Sequence, residues 1–326
     1  MDVLFLDLMG KPVWTWLCFI AAVGLLLAFD LGVLHRKSHA VGVAESLWLS
    51  AFYISVGLGF GGVIWWWMGS QSGLEYLTGF VVEKSLALDN IFVIALIFSY
   101  FAIPPAFQHR VLVYGILGVL VLRGIMIAAG AAIVDEFSWV LYLFAAFLVV
   151  TGIKMLVSAD KKPDVGANPV LGFMTRHLRM TDQLEGERFV VRRVDPSTGR
   201  RQLFVTPLFV ALVLVELADL VFAVDSIPAI FAITTDPYIV LTSNVFAILG
   251  LRALYFALAA MIDRFVYLKY ALAAVLVFIG SKIFIADMLG LAKIPPALSL
   301  SVTLGILAIG ILGSLWKTRR PSIGAG

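Results

Sequence analysis

The feature that most constrains this chain is an apolar run over residues 206–233 that contains three carboxylates. The run is long enough to cross a bilayer, for which about 20 residues are needed. It carries Glu216, Asp219 and Asp225 together with Pro228. A charged side chain near the centre of a bilayer costs about 3 kcal/mol on insertion scales. Three carboxylates in one such run therefore indicate an ion or proton pathway.

The composition places this run in a membrane protein with many spans. Of the 326 residues, 61% are hydrophobic and 14% are charged, and the mean hydropathy is +1.01. Soluble domains carry about 25% charged residues. We predict an all-α, polytopic membrane protein with nine transmembrane helices. Their predicted bounds are 13–34, 47–68, 75–101, 110–134, 138–158, 206–233, 239–262, 265–287 and 296–316.

The distribution of basic residues predicts the orientation. With the N-terminus outside, the inner segments contain seventeen Lys and Arg residues, and the outer segments contain only Lys11 and Lys293. Because cytoplasmic loops are enriched in Lys and Arg, we expect the C-terminus to lie in the cytoplasm. The single cysteine, Cys18, excludes a disulfide framework and a thiolate metal cluster.

One long polar segment, residues 159–205, lies between the spans. Asn168-Pro169 predicts the start of a short helix that ends at Arg179, and residues 188–205 predict a β-hairpin with its turn at 195–199. Acids interrupt its arginines, so we expect a linker between two halves and no nucleic-acid binding. The alternative is a docking surface for a cytoplasmic protein.

Spans three to five and six to eight resemble each other. Glu83 and Asp219 each precede an aspartate by six residues, Asp89 in the first copy and Asp225 in the second. Three spans is an odd number, so the second copy must insert upside down. Inverted repeats with a site near mid-membrane are typical of transporters. Further paired landmarks are Arg123 with Arg252, Asp135 with Asp263, and Gly152 to Lys154 with Gly280 to Lys282.

The repeat divides the chain into five predicted parts. Residues 1–74 form an N-terminal two-helix segment, and 75–158 form the first three-helix repeat. The cytoplasmic loop at 159–205 leads to the second, inverted repeat at 206–287. Residues 288–326 form the last helix and a cytoplasmic tail.

The candidate metal ligands all carry oxygen. The four histidines lie in loops or at helix ends, and no span pairs histidine with cysteine. Such a site suits Mg²⁺, Ca²⁺ or Mn²⁺ better than copper or zinc. The predicted ligands are Glu83, Asp89, Asn90, Glu216, Asp219, Asp225 and Ser226.

Two further predictions concern how the carboxylates are held. Pro228 removes the hydrogen bond to the carbonyl of Val224, so we expect a helix break that exposes an acceptor beside Asp225. Cations within the spans are expected to pair with the acids, either around an empty site or only to hold the bundle together. These cations are Lys84, Arg123, Arg252 and Lys282.

The acidic motifs resemble those of a known family. The stretch from Glu83 to Asn90, with Glu216 to Asp219 and Val224 to Pro228, is similar to the TerC family of integral membrane proteins, and the likeness covers nearly the whole chain. It implies a bacterial inner-membrane protein of a family named for tellurium resistance, whose members are linked to manganese efflux and to metallation of exported proteins. The matched positions are Glu83, Asp89, Glu216, Asp219 and Asp225.

We therefore predict a secondary transporter that exports a divalent cation, Mn²⁺ foremost, in exchange for protons. Mn²⁺ is its substrate, no cofactor is expected, and the chain is not expected to be an enzyme. A G-x-x-x-x-G-K-[ST] nucleotide motif is absent. The first alternative is a membrane scaffold or sensor in a tellurite or metal stress-resistance complex that uses residues 159–205. The last is an intramembrane hydrolase built on Asp89 and Asp225.

Overall fold

The computed structural model describes residues 2–33, 42–157, 165–181, 183–194, 199–259, 265–291 and 294–319. After a 3₁₀ turn at Asp2–Phe5, the short strands β1 (Asp7–Leu8) and β2 (Lys11–Pro12) pair antiparallel. A second antiparallel pair, β3 (Val190–Val194) and β4 (Arg201–Val205), lies in the long polar segment. The helices are α1 (Val13–Val33), α2 (Val43–Met68), α3 (Ser70–Tyr100), α4 (Pro105–Glu136), α5 (Val140–Val157), α6 (Pro169–His177), α7 (Pro207–Phe231), α8 (Pro237–Ile248), α9 (Leu251–Leu258), α10 (Leu268–Met288) and α11 (Pro296–Arg319).

The protein is an all-α membrane protein with several spans, as predicted. Seven described helices are long and apolar enough to cross a bilayer, and α8 with α9 gives an eighth if the pair is one span. The remaining predicted span, 75–101, corresponds to α3, which has 31 residues but carries Glu75, Glu83, Lys84 and Asp89. Its length is sufficient to cross a bilayer, but its charged residues make it less apolar than the other long helices. The count of nine therefore stays a prediction.

The two ends of the helix bundle are distinguished by their contacts. Where α1 begins, the rings of Trp14 and Trp67 lie 5.7 Å apart, and Lys11 forms a 3.0 Å ion pair with Asp236. We call this end the N-terminal face. At the opposite end, Arg110 at the start of α4 contacts Glu187 of the polar segment at 3.2 Å. We call that end the loop face.

The polar segment folds against the loop face. The described strands β3 and β4 confirm the hairpin, with Val190 opposite Val205, whereas its turn at 195–198 lies outside the described residues. The predicted helix is α6, which ends at His177 and buries Leu171 and Met174 against the bundle core. Asp263 and Lys293, which the sequence analysis also names, lie outside the described residues as well.

Helices α5 and α10 pack antiparallel through a reciprocal pair of glycines. A Cβ atom at Gly152 would lie 2.8 Å from the carbonyl oxygen of Ala273, and one at Gly280 would lie 2.6 Å from that of Ala145. Ala145 precedes Gly152 by seven residues, and Ala273 precedes Gly280 by the same number. Exchanging the two helices therefore maps one close contact onto the other.

The clearest helix interruption lies between α8 and α9. The two helices meet at a bend of about 40°, and Gly250 between them has a φ of +80°, a conformation that glycine adopts readily. Lys84 of α3 donates to the carbonyls of Ala247 at 2.8 Å and Leu249 at 3.2 Å. Its ammonium group thus satisfies carbonyls at the end of α8 and offsets the negative end of that helix.

The predicted break at Pro228 is wrong. Helix α7 runs without interruption from Pro207 to Phe231 and contains Pro228 in its last turn. A proline removes one helical hydrogen bond. Here that loss falls close to the helix end, where the carbonyl of Pro228 still accepts from Ala232 at 2.9 Å. The chain therefore has a broken helix, but in α8–α9 rather than in α7.

Candidate cation site at the centre of the bundle

Arg123 is the centre of a buried ionic cluster formed by α3, α4 and α7. Its guanidinium pairs with Glu83 of α3 and with Asp219 of α7. The contacts to Asp219 measure 2.9 Å from Nη2 and 3.1 Å from Nε. Arg123 is 1% exposed, Glu83 2% and Asp219 6%. The two acids are equivalent positions of the predicted repeat, so one arginine joins the two helices that the prediction pairs.

Neutral side chains complete the cluster, and two of them bind crosswise between α3 and α7. Asn90 of α3 donates to Asp219 at 3.0 Å, while Ser226 of α7 hydrogen-bonds Glu83. Asn244 of α8 donates to Glu83 at 3.0 Å and accepts from Arg123 at 3.2 Å. Carboxylate, amide and hydroxyl oxygens are the ligands that hard divalent cations prefer.

The cluster carries more negative than positive charge. Glu83 and Asp219 bring two negative charges when ionised, and Arg123 brings one positive charge. Glu216 lies one turn before Asp219 on α7, and its Oε2 is buried without a hydrogen-bond partner among the described residues. The side-chain oxygen of Asn90 is likewise buried without a hydrogen-bond partner among the described residues. Buried acceptors are normally satisfied, so a cation between these groups would satisfy both the charge and the acceptors.

A small cavity adjoins the cluster on its loop-face side. It measures about 20 Å³ and is lined by Asn90, Gly115, Val215, Asp219 and Leu251, among others. Room for one water-sized particle requires about 10–15 Å³. The cavity therefore offers space for one ion-sized ligand, next to an acidic side chain and an amide.

The close approach of Glu216 to α4 depends on Gly118. A Cβ atom at Gly118 would lie 2.5 Å from the carboxyl carbon of Glu216. We expect Gly118→Ala to displace the Glu216 carboxylate, and because this group is the end of a flexible side chain, the destabilisation should be at most about 1 kcal/mol. Ion transport should fall with it. Thermal unfolding of the detergent-solubilised protein and a liposome flux assay measure the two effects.

Gly124→Ala is the matched control for this substitution. Gly124 lies on the same helix, and a Cβ there would meet no atom within 4 Å. Since alanine has a better helix propensity than glycine by about 1 kcal/mol, the control should be neutral or stabilising. Equal effects of the two substitutions would contradict a role for the contact between Glu216 and Gly118.

Asp89 and Asp225 do not join the central cluster. Asp225 hydrogen-bonds Thr151 and interacts electrostatically with Lys154, both on α5. Asp89 interacts electrostatically with Lys269 of α10. Each aspartate precedes a residue that faces the cluster, and successive residues of a helix point about 100° apart. Among the described residues, no group of three His, Cys, Asp or Glu side chains is arranged to hold a metal ion.

The seven predicted ligands are therefore divided by the fold. Glu83, Asn90, Asp219 and Ser226 surround Arg123, and Glu216 lies beside them against α4. A single site made of all seven is not present in the part of the chain that the structure describes. Asp89 and Asp225 instead lie between the central helices and the α5–α10 pair.

The predicted pairing of cations with these acids holds for Arg123 and differs for the rest. Lys84 binds the carbonyls at the end of α8, as described above. Arg252 at the start of α9 forms a 2.5 Å ion pair with Asp30 of α1, and α9 packs against α2. Lys282 donates to Ser299 of α11 at 3.2 Å.

Three residues of these networks were missed from the sequence. Asn244 follows Thr242 and Ser243, and all three are 0% exposed. Three consecutive polar residues within an apolar span indicate a functional position, as a carboxylate within a span does. Asp30, a carboxylate within the first span, could have been selected in the same way. Gly118 offered none, since its role depends on which helix passes beside it.

Comparison with known proteins decides the family. The sequence profile described as "Integral membrane protein TerC family" matches residues 68–322. The chain belongs to the TerC family. This match contains α3 to α11, and with them the whole of the central cluster.

Relatives of similar length support the same assignment. An uncharacterized membrane protein of Myxococcus xanthus, STKORF319, is 47% identical over 95% of this chain and 94% of its own length. An uncharacterized membrane protein of Rickettsia bellii is 46% identical over 92% and 97%. A candidate membrane-bound redox modulator of Escherichia coli K12, Alx, is 45% identical over 97% and 98%. No solved structure matches the chain.

Proposed function

We propose that this TerC protein is a secondary transporter that exports a divalent cation, with Mn²⁺ as its main substrate and protons as the exchanged ions. The observation that carries the proposal is the pairing of Glu83 and Asp219 with a single buried arginine. Buried ion pairs stabilise a protein poorly compared with apolar packing. Charged residues inside a membrane bundle usually mark an ion pathway.

Arg123 acts in this proposal as an internal cation of the empty site. A divalent ion between Glu83 and Asp219 would lie close to the guanidinium. Two like charges 4 Å apart repel with about 4 kcal/mol per unit of charge at an effective dielectric constant of 20. Ion and arginine therefore bind the carboxylates alternately. Movement of Arg123 on α4 is the event that couples metal binding to a change in helix packing.

Proton exchange follows from the charge that the metal leaves behind. After release, Arg123 compensates one of the negative charges of Glu83 and Asp219, and Glu216 adds a further carboxylate on the same side of α7. A bound proton removes an uncompensated charge without requiring another side chain. With one proton on each of the two uncompensated carboxylates, the return step moves a neutral site.

The preference for Mn²⁺ rests on the chemistry of the donors. The described cluster offers carboxylate, amide and hydroxyl oxygens, whereas zinc usually binds nitrogen or sulfur. Mg²⁺ keeps its waters and demands near-ideal octahedral geometry, and Ca²⁺ takes six to eight ligands. Mn²⁺ accepts oxygen ligands and lies between these demands.

The architecture supports alternating access between two inverted repeats. The reciprocal glycines of α5 and α10 and the crosswise bonds of Asn90 and Ser226 both relate one predicted repeat to the other. In such transporters one repeat rocks against the other around a fixed site. We place the protein in the bacterial inner membrane with the loop face in the cytoplasm, because basic residues concentrate there.

Metal flux in liposomes tests the proposal. The purified full-length protein is reconstituted with a Mn²⁺-sensitive dye inside the vesicles. We expect Mn²⁺ entry that responds to a pH gradient, and little entry with Glu83→Gln or in protein-free vesicles. Flux equal to that of empty liposomes under every gradient would refute transport by this chain.

A scaffold or sensor role is the alternative that such a negative result would favour. The described part of the polar segment, residues 165–181, 183–194 and 199–205, supplies a surface for a cytoplasmic protein, and copurification through it would support that role. The name of the Escherichia coli relative refers to redox. This chain has one cysteine, Cys18, which is exposed, so it has no dithiol of its own, and Cys18→Ser should leave transport unchanged. Neither copurification nor the Cys18→Ser substitution tests a role in tellurium resistance.

A further inference from the structure

A second polar cavity opens near the N-terminal face, apart from the central cluster. It has a volume of about 190 Å³ and lies between the start of α3, the start of α5, the end of α7, the end of α10 and the start of α11. Its polar lining includes Glu75, Thr78, Thr235, Lys282, Asp287 and Ser299. The cavity beside Asp219, at about 20 Å³, is far smaller.

Two side chains of opposite charge are buried in the wall of this cavity. Glu75 is 6% exposed and Lys282 is 8% exposed. Lys282 donates to Ser299 at 3.2 Å, and Glu75 accepts from Gln71 at 3.2 Å. With Asp287, the three charged groups give the cavity a net charge of −1 when all are ionised. Buried charges stabilise a protein less than apolar packing at the same place would. Their presence inside a membrane bundle therefore indicates a functional role.

The cavity and the central cluster are connected along α3. Glu75 precedes Glu83 by eight residues, which is about 12 Å along a helix. Between them, a Cβ at Gly79 would lie 2.7 Å from Ile230 Cδ1 and 3.1 Å from Ser243 Oγ, and the neighbouring Asn244 binds Glu83 at 3.0 Å. Both apolar and polar side chains therefore lie between the two sites.

An aromatic side chain forms part of the cavity wall. Phe231 lines the cavity and is fully buried, and a Cβ at Gly130 of α4 would lie 2.7 Å from its ring. On the opposite side of the cluster, the ion pair of Arg252 with Asp30 ties α9 to α1. The larger space is therefore on the N-terminal side of the central acids.

We propose that this cavity is a second cation site on the route of the transported divalent ion, with Glu75 as its charged ligand and Thr78 and Ser299 as hydroxyl ligands. Lys282 serves there as the counter-cation when no metal is bound, as Arg123 does at the centre. The proposal rests on the proposed function, since it assigns the cavity to the same ion. It places the release of the ion at the N-terminal face.

Site-directed labelling tests binding at this cavity without relying on flux. The chain has a single cysteine, so Cys18→Ser provides a background without thiols. Thr235→Cys then places one thiol at an exposed position of the cavity lining. A membrane-impermeant thiol reagent should label it from the side opposite the loop segment, and Phe173→Cys on α6 should label only from the loop side. Mn²⁺ should slow the labelling of Thr235→Cys.

The ligand role of Glu75 predicts how this protection changes. Loss of a group that supports a metal site costs about 10–100-fold in affinity, so Glu75→Gln should raise the half-protecting Mn²⁺ concentration by at least about tenfold. Glu75→Asp keeps the carboxylate and should retain most of the protection. Glu136→Gln removes an exposed acid at the end of α4 and should change nothing. Asp219→Asn should stop flux but leave protection intact.

Failure of this inference is distinguishable from failure of the proposed function. Labelling that ignores Mn²⁺, or equal protection in Glu75→Gln and wild type, overturns the second site even if the wild type transports Mn²⁺. Protection that depends on Glu75 in a protein without flux supports the site and refutes the transport. Labelling of Thr235→Cys only from the loop side overturns release at the N-terminal face.

Discussion

Arg123→Gln is expected to destabilise the protein by about 3–5 kcal/mol, the range found when one partner of a buried ion pair is removed. The guanidinium makes contacts with Glu83, Asp219, Ser226 and Asn244. Its loss leaves two buried carboxylates that repel each other and have no compensating cation. The measurement is the unfolding midpoint of the detergent-solubilised protein, together with its yield in the membrane.

A rescue experiment keeps this prediction testable if the single variant does not accumulate. Combining Arg123→Gln with Glu83→Gln and Asp219→Asn removes the opposed charges as well, so much of the stability should return while transport stays absent. Arg252→Gln is the comparison among the cations, and its partner Asp30 is more accessible to solvent. It should cost less. Stability of Arg123→Gln within about 1 kcal/mol of wild type would contradict a compensating role for this arginine.

Asp219→Asn is expected to lower Mn²⁺ transport about a thousandfold while the protein still folds. The amide keeps the shape of the side chain and can still accept from Arg123 and Asn90, but the negative charge is lost. One unit of charge at 4 Å is worth about 4 kcal/mol at an effective dielectric constant of 20. Because the ion carries two charges, about 4 kcal/mol is a lower limit for its interaction with the carboxylate before the cost of desolvation is counted. Initial rates of flux at saturating and limiting Mn²⁺ measure the loss.

Two matched substitutions show whether position or charge alone matters. Asp135→Asn removes an exposed carboxylate at the end of α4 and should leave transport unchanged. Asp225→Asn removes a carboxylate on the same helix that faces α5 instead of the cluster, so its effect should be smaller than that of Asp219→Asn. If Asp225→Asn abolishes transport and Asp219→Asn does not, the ion is bound beside α5 and the central assignment is wrong.

The sequence by itself determined the membrane class, the helices and the candidate acids. Apolar runs of bilayer length can satisfy their backbone hydrogen bonds only as helices, which is why eight predicted spans each coincide with one helix, while the span at 239–262 corresponds to the broken pair α8 and α9. A carboxylate within such a run is conspicuous against its neighbours, so Glu83 and Asp219 could be selected without a structure. Local turn chemistry likewise predicted the β3–β4 hairpin.

Tertiary structure alone decided which of these groups meet. Convergence depends on the rotation of each helix and on the angle at which helices cross, and neither is encoded in the spacing within one span. Asp89 and Asn90 are adjacent in sequence, yet only Asn90 reaches Asp219. The break at Gly250 was not predictable either, because it requires Lys84 of a distant helix to bind the freed carbonyls. Pro228 was a stronger local signal, but it falls in the last turn of α7, where losing one hydrogen bond leaves the helix intact.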